Sequence, residues 1–396
     1  MKFRASLIEF QQALAKTLPA IPRKATIPIL EHLYFSIEDN TLSIIGTDQN
    51  ITIMTSIKVD AEDEGKVLVP AKMLDDLVKT LGHSGDLEFI TDTNNYEIKL
   101  LVERGKYNMK GLNPIEYLDL PELFESKKPD FEAAKQEGTI ESGISTAFFI
   151  KEDIVRLAEK TLIAVSDDEY RPAMTGILLQ FRENYVNAVS TDSYRLVKAT
   201  VHADKVSFPQ NFDVILPAKS MELLVKTDSD LVMSFIESFG KVTHARFDAG
   251  NTIFITRVIN EKFPPYESVI PQNNAILLTV DRKQVLLAIK SVSLFANNIT
   301  KQIKLHAVNN TLTLHAEDEE TGKSGKRELP CDLNYESFEI GFNFKYLEEA
   351  FNNVDENETE DNLVIMSFSE PNKPALIRPK SEKEELLMLV MPVRIS

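Results

Sequence analysis

Apolar residues recur at helical spacing in LIEFQQALAKTL (7–18), IKEDIVRLAEKTL (150–162) and VDRKQVLLAIKSV (280–292), so each stretch predicts an amphipathic helix. Further along come three segments in which apolar and polar residues alternate: NTLSIIGTDQNITIMTSI (40–57), NYVNAVSTDSYRLVKATV (184–201) and NTLTLHAEDEETGKSGKREL (310–329). A period of two on both sides of a Thr-Asp or Glu-Asp step predicts strand, turn, strand. A second helix follows each of them, in LVPAKMLDDLVKTL (68–81), ILPAKSMELLVKTD (215–228) and IGFNFKYLEEAF (340–351). The first two enter that helix through Pro-Ala-Lys. The third keeps the lysine and loses the proline, which makes Lys72, Lys219 and Lys345 equivalent.

The order helix, strands, helix, strands therefore occurs three times, and an internal repeat decides the architecture before any single motif does. The steps at 47 and 191 are 144 residues apart, the lysines at 72 and 219 are 147 apart, and 219 to 345 is 126. Three α+β domains of comparable length are expected. The polar stretch ESKKPDFEAAKQEGT (125–139) reads as the first linker and FPPYESVIPQNN (263–274) as the second, dividing the chain into 1–128, 129–272 and 273–396.

Charge changes the picture next. With 44 Lys and Arg against 61 Asp and Glu among 396 residues, the net charge is −17, which excludes a generally basic coat protein. A surface for nucleic acid must be a local exception. The helical windows 7–18, 71–81, 151–162, 219–227, 281–291 and 345–351 hold 12 Lys and Arg against 10 Asp and Glu. If they line one surface, that surface is basic relative to an acidic exterior, and phosphate contacts there bind without sequence preference and weaken with salt. The single cysteine, Cys331, forms no internal disulfide and no CxxC pair, which fits a reducing cytoplasm. Lys2, Arg4 and Glu9 break the apolar start, so it lacks the core of a signal peptide, and runs such as LLMLVM (386–391) fall far short of the roughly 18 residues of a span. A soluble cytoplasmic protein without membrane partners is expected.

Catalytic patterns are sparse. ETGKSG (320–325) resembles the end of a phosphate-binding loop, but Glu317 stands where its first glycine belongs, so a polar hairpin turn is expected. No GxSxG, HExxH or GxGxxG occurs, and the histidines at 32, 83, 202, 244, 306 and 315 have no helical ligand spacing. His306 and His315 flank a turn and read as strand residues. Asp167, Asp168 and Glu169 read as a solvated loop, DENETED (355–361) as an acidic surface turn, and 366–387 as a long polar hairpin. No catalytic residue, metal or cofactor is expected. Two other readings remain open, an enzyme with a site at a domain junction and an adaptor that binds proteins and ignores DNA; retention on circular but not linear duplex separates a ring from both.

The segments KATIPILEHLYFSI, IIGTDQNITI, AVSTDSYRLV, KFPPYESVIP and the terminal LVMPVRIS occur in this order. With them, essentially the whole chain closely resembles the β subunit of bacterial DNA polymerase III, the sliding clamp. The resemblance implies three clamp domains per chain, helices inside and antiparallel sheets outside, and a head-to-tail homodimer closing a six-domain ring. It implies a non-catalytic processivity factor that encircles double-stranded DNA and tethers the replicative polymerase α subunit, the clamp loader, and other polymerases and repair proteins through a hydrophobic peptide cleft. The matching motifs carry that cleft to Met174, Thr191, Ser193, Tyr194, Arg195, Leu196, Pro264, Val269, Val390, Met391, Pro392, Val393 and Arg394. They carry phosphate contacts to Lys24, Lys72, Arg171 and Lys219. They carry the dimer interface to Tyr107 and Met109 against Leu294 and Phe295, with Arg104, Lys106 and Lys110 facing Glu317, Asp318, Glu319 and Glu320. Tyr194 stands where relatives carry histidine, and Pro172 and Ala173 where some carry two tyrosines.

Overall fold

All six expected helices form: α1 (Leu7–Thr17), α2 (Ala71–Val78), α3 (Lys151–Leu162), α4 (Ala218–Leu224), α5 (Arg282–Val292) and α6 (Phe344–Asn352). In α1 the buried residues are Leu7, Phe10, Ala13, Leu14 and Thr17, the one-sided spacing that the sequence pattern requires. Before α2 and α4, Pro70 and Pro217 are extended, so a strand runs straight into a helix. Where the third repeat lacks that proline, Asn343 caps α6 instead, its side chain accepting from the Lys345 N–H at 3.0 Å. The structure is a computed structural model that describes residues 1–22, 24–92, 94–117, 139–140, 144–202, 211–238, 241–381 and 385–395. The first expected division, at 128, and nearly all of the 125–139 linker lie outside the described residues.

Contacts gather the three repeats into two units. One is built from Met1–Lys151 with Lys226–Val258, the other from Glu152–Asp204 with Gln210–Val225 and Ile259–Ser396. The middle repeat is thus shared, because sheets run through the joins between repeats. The first unit holds a five-stranded sheet ending on Gly105–Lys110, and a nine-stranded sheet in which Thr252–Arg257 pairs with Ile51–Lys58. The second holds a twelve-stranded sheet in which Leu386–Val390 pairs with Arg195–His202.

These two joins have one geometry. The first runs antiparallel from Ile51 opposite Thr256 to Thr55 opposite Thr252. The second runs from Arg195 opposite Val390 to Ala199 opposite Leu386, and the 144-residue repeat step carries Ile51 onto Arg195. Two further strand edges stay open among the described residues. Gly105–Lys110 ends its sheet, and in the long strand Lys323–Leu333 only the last three residues, Cys331 to Leu333, pair on the side away from Thr311–Asp318.

One local expectation changes. The 355–361 run is no free surface turn: Asp355 and Glu358 form a capping box, and the mostly buried Glu358 carboxylate accepts from Arg156 at 2.7 Å and pairs with Lys160 at 2.9 Å. His306 and His315 do lie in paired strands, with Thr313 across from His306 and Lys304 across from His315. The 366–387 segment does hold a hairpin, Leu363–Phe368 with Ala375–Pro379, whose second strand also pairs with Leu386–Val390. The GKS triplet does sit in a hairpin turn, with Gly322 in the left-handed region at φ 65°.

Candidate functional site

The centre of the expected cleft is a turn whose shape follows from its sequence. In Thr191-Asp192-Ser193-Tyr194-Arg195, the Asp192 carboxylate accepts from the N–H groups of Tyr194 and Arg195, both at 2.9 Å, and the Thr191 hydroxyl donates to the Arg195 carbonyl at 2.7 Å. Asp48 and Thr47 make the corresponding bonds in the first repeat, so Thr-Asp is a turn-forming pair by chemistry. Ser193 and its counterpart Gln49 both take positive φ, 77° and 76°. That backbone turns Tyr194 outward, 61% exposed, while Leu196 is buried.

Around the turn the structure brings several of the expected residues together. The Met391 N–H donates to the Tyr194 carbonyl at 2.8 Å, and Val390 stands opposite Arg195. Arg171 joins the same rim, donating to Ser193 Oγ at 2.8 Å and to Asp168 at 2.7 Å. Those bonds hold the Asp168 carboxyl below its usual range, and they engage a guanidinium expected to contact phosphate. Beneath lies an apolar cluster of Ala173, Leu178, Leu196, Phe263, Tyr266 and Leu389 with neighbours. Burial pushes the Tyr266 phenol up, and its hydroxyl donates to Gln180 Oε1 at 2.6 Å, which anchors the Phe263–Val269 segment. Exposed apolar surface remains at Tyr194, Val269 (52%) and Met391 (37%). Met174, Thr191 and Val390 are buried and support the surface rather than form it; Pro264, Pro392 and Val393 are half-buried, and Arg394 is exposed.

Sequence reasoning missed two residues here, Tyr346 and Glu349 on α6. The Arg195 guanidinium lies over the Tyr346 ring at 4.6 Å, Tyr194 stacks on the same ring at 6.2 Å, and Arg195 is paired with both Asp192 and Glu349. The helical pattern of IGFNFKYLEEAF showed a helix; only the fold shows that it meets the Thr191–Arg195 turn. The chain end is fixed alongside, where the Val393 N–H donates to the Gly341 carbonyl at 2.9 Å and Val393 and Ile395 close on Gly341.

The other expected residues divide by exposure. Lys24, Lys72 and Lys219 are exposed. Lys72 and Lys219 sit in the first turn of α2 and α4, where the helix dipole disfavours a cation, so helix stability does not account for them. Leu294 is 77% exposed, and Phe295, 38% exposed, packs on Gly325, where a Cβ would run into its ring. Met109 is only 6% exposed and belongs to the core of its own unit, because alternation along Gly105–Lys110 turns it inward. Tyr107 is half-buried and folds back over Gly105. Asp318 is also turned inward, accepting from Asn297 at 3.1 Å and Thr321 at 2.7 Å, while Glu317, Glu319 and Glu320 are exposed. Lys110, itself exposed, donates to the Asn95 carbonyl, and Arg104 and Lys106 are exposed on the same hairpin.

Three domain profiles match the chain in order: the N-terminal domain of the DNA polymerase III beta subunit over 1–121, its central domain over 150–265 and its C-terminal domain over 267–394. The chain belongs to the DNA polymerase III β-subunit family. The beta sliding clamp of Staphylococcus aureus is 28% identical over 408 residues, covering 100% of this chain and 99% of the relative, and that of Staphylococcus epidermidis is 27% identical over 406. The crystal structure of the Bacillus subtilis DNA polymerase sliding clamp superposes with TM-score 0.85 at 25% identity, covering all of both chains. The Pseudomonas aeruginosa clamp bound to griselimycin matches with TM-score 0.85 at 22% identity, again over both full chains. The β clamp is built of three clamp domains of helices and antiparallel sheet, and it is a non-catalytic processivity factor of DNA polymerase III. Among the described residues no helix is long and apolar enough to cross a membrane.

Proposed function

We propose that two copies of this β clamp close head to tail around duplex DNA in the cytoplasm and hold the polymerase α subunit, the clamp loader and other polymerases and repair proteins at the Tyr194–Met391 cleft. One observation carries the ring: the two joins inside the chain share a register, while the equivalent strand edges at its two ends are open. The hairpins are equal in length, with Thr47 opposite Thr52, Thr191 opposite Leu196 and Asp318 opposite Lys323. Likewise Val102 opposite Gly105 matches Ala249 opposite Thr252. Carrying the register over sets Gly105 against Lys326 of the partner subunit and Tyr107 against Ser324 of the partner subunit. Open edges of matched register attract each other through their unpaired N–H and C=O groups. Leu294 and Phe295 supply the apolar anchor beside them, and Arg104 and Lys106 meet Glu317, Glu319 and Glu320 at the rim.

Within the ring, Lys24, Lys72 and Lys219 serve as phosphate contacts, with Arg171 shared between DNA and the cleft rim. The domains divide near 128 and 272; the matched stretches 1–121 and 150–265 leave the first division between them. The deciding experiment loads the protein with a clamp loader onto nicked circular duplex and then linearises it. The complex should persist on the circle and be lost from the line; equal retention on both would overturn the ring. For the cleft the probe is labelled griselimycin, seen bound to the P. aeruginosa clamp. Met391→Ala should weaken its binding about tenfold, since burying a methionine contributes roughly 1.5–3 kcal/mol. Unchanged binding would remove Met391 from the cleft.

A further inference from the structure

Each repeat ends its first helix on a lysine followed by a hydroxyl residue: Lys16-Thr17, Lys160-Thr161 and Lys290-Ser291. Two of these lysines do the same work. Lys16 Nζ lies 2.9 Å from Asp228 and 3.2 Å from Asn251 Oδ1. Lys160, almost wholly buried, lies 2.8 Å from Asp355 and 2.9 Å from Glu358 and donates to the Asn353 carbonyl at 2.6 Å, while Asn353 donates back to the Lys160 carbonyl at 2.8 Å. In both cases the target is the turn just after the second helix of the following repeat, α4 for Lys16 and α6 for Lys160. Each lysine therefore locks a join that a strand pair has already made. Lys290 is exposed, and among the described residues its ammonium has no partner.

We infer that Lys290 is the third junction lysine, and that it reaches the turn after α2, residues 79–86, in a second copy of this chain. The inference rests on the head-to-tail dimer proposed above and specifies one contact in it. The receiving turn differs from the other two in a way that matters chemically. Asp228 lies nine residues after Lys219, and Asp355 ten after Lys345; the same counts from Lys72 reach Leu81 and Gly82. No carboxylate stands at either position. Lys290 finds no carboxylate at the places that Asp228 and Asp355 hold in the other two turns, Asp86 standing four and five residues further on, so the seam between subunits lacks the ion pair that fixes each join inside the chain. Of the three lysine contacts, this one parts at the smallest electrostatic cost.

Restoring the missing carboxylate tests this directly. At Gly82 an added Cβ meets nothing within 4 Å and the backbone is not left-handed, so Gly82→Asp is tolerated there. The readout is the rate of subunit exchange between two differently labelled full-length populations. Gly82→Asp should slow exchange about three- to tenfold at low salt, the slowing should fade in 0.5 M salt, and it should vanish in a Lys290→Met background. Gly82→Lys should speed exchange only while Lys290 is present. Equal slowing with and without Lys290, no slowing at all, or a Lys290→Met variant that loses salt-dependent DNA binding with exchange unaltered would each overturn the assignment, the last by making Lys290 a phosphate contact. Failure of the dimer itself is separate: the parent protein would then sediment as a monomer at micromolar concentration.

Discussion

Lys160→Met tests whether the acidic 355–361 turn is a docking element. The side chain is 4% exposed, and its ammonium is held by two carboxylates and a carbonyl within 3 Å. Removing one member of a buried ion pair costs about 3–5 kcal/mol when the partner is left stranded. Here the stranding is partial, because Glu358 keeps Arg156 at 2.7 Å and Asp355, 57% exposed, returns to water. Methionine also fills the space left by the lysine stem without a charge to desolvate. The expected loss is therefore about 2–3 kcal/mol, below the full penalty. It should appear locally, as faster hydrogen exchange at the Asn353 and Glu358 amides, which donate to Glu349 and Asp355 at 2.9 and 3.1 Å. Local exchange is preferable to a melting curve, since a chain of 396 residues is not expected to unfold in two states. The pH dependence carries a sign. Burial pushes the Glu358 carboxyl up, but the pairs with Lys160 and Arg156 outweigh it and the net shift is downward. A depressed carboxylate contributes stability above its unfolded value, and that contribution is lost as pH falls through the folded value. The cost of Lys160→Met should accordingly be full at pH 7 and shrink below about pH 4. Exchange at 353–358 that changes by less than about 0.5 kcal/mol, or changes equally at pH 7 and pH 3.5, would refute a buried network.

Reversing Lys24, Lys72 and Lys219 together to Glu should weaken DNA engagement and lower the steepness of its salt dependence by about one counterion per lost contact, read from loading titrations across salt concentrations. Changing Leu294 and Phe295 together to Ala should give folded monomers at micromolar concentration by sedimentation, because the two side chains expose the apolar surface on which the seam depends and losing both removes about 3–6 kcal/mol of burial. Gly176→Ala should cost about 1–3 kcal/mol locally, read as faster amide exchange along Gly176–Arg182, since the new Cβ would stand 2.6 Å from the Leu216 carbonyl and 2.7 Å from Ile259 Cδ1; unchanged exchange there would mean that the contact relaxes freely.

Much of this protein is written in local pattern. The six helices follow from periodicity, because one buried face every 3.6 residues is a property of the chain itself. The Thr-Asp turns follow from side chains that bond their own backbone two and three residues on, and they recur at 47 and 191 for that reason. The threefold repeat was legible for the same cause, and with it the equivalence of Lys72, Lys219 and Lys345. What sequence could not show is where residues far apart in the chain meet. Alternation showed that Met109 and Asp318 lie in strands without telling which face is covered, and both are turned inward. Composition marked 355–361 as acidic, but only the end of α3 coming against it makes Glu358 a buried ion-pair partner. Tyr346 joined the candidate cleft because α6 packs beside a turn more than 150 residues earlier in the chain. How the three repeats are joined was likewise a tertiary matter. The repeats count three, yet hydrogen-bonded joins at Ile51–Thr256 and Arg195–Val390 split the middle one between two units, since strand pairing is a contact between distant residues that no local pattern encodes.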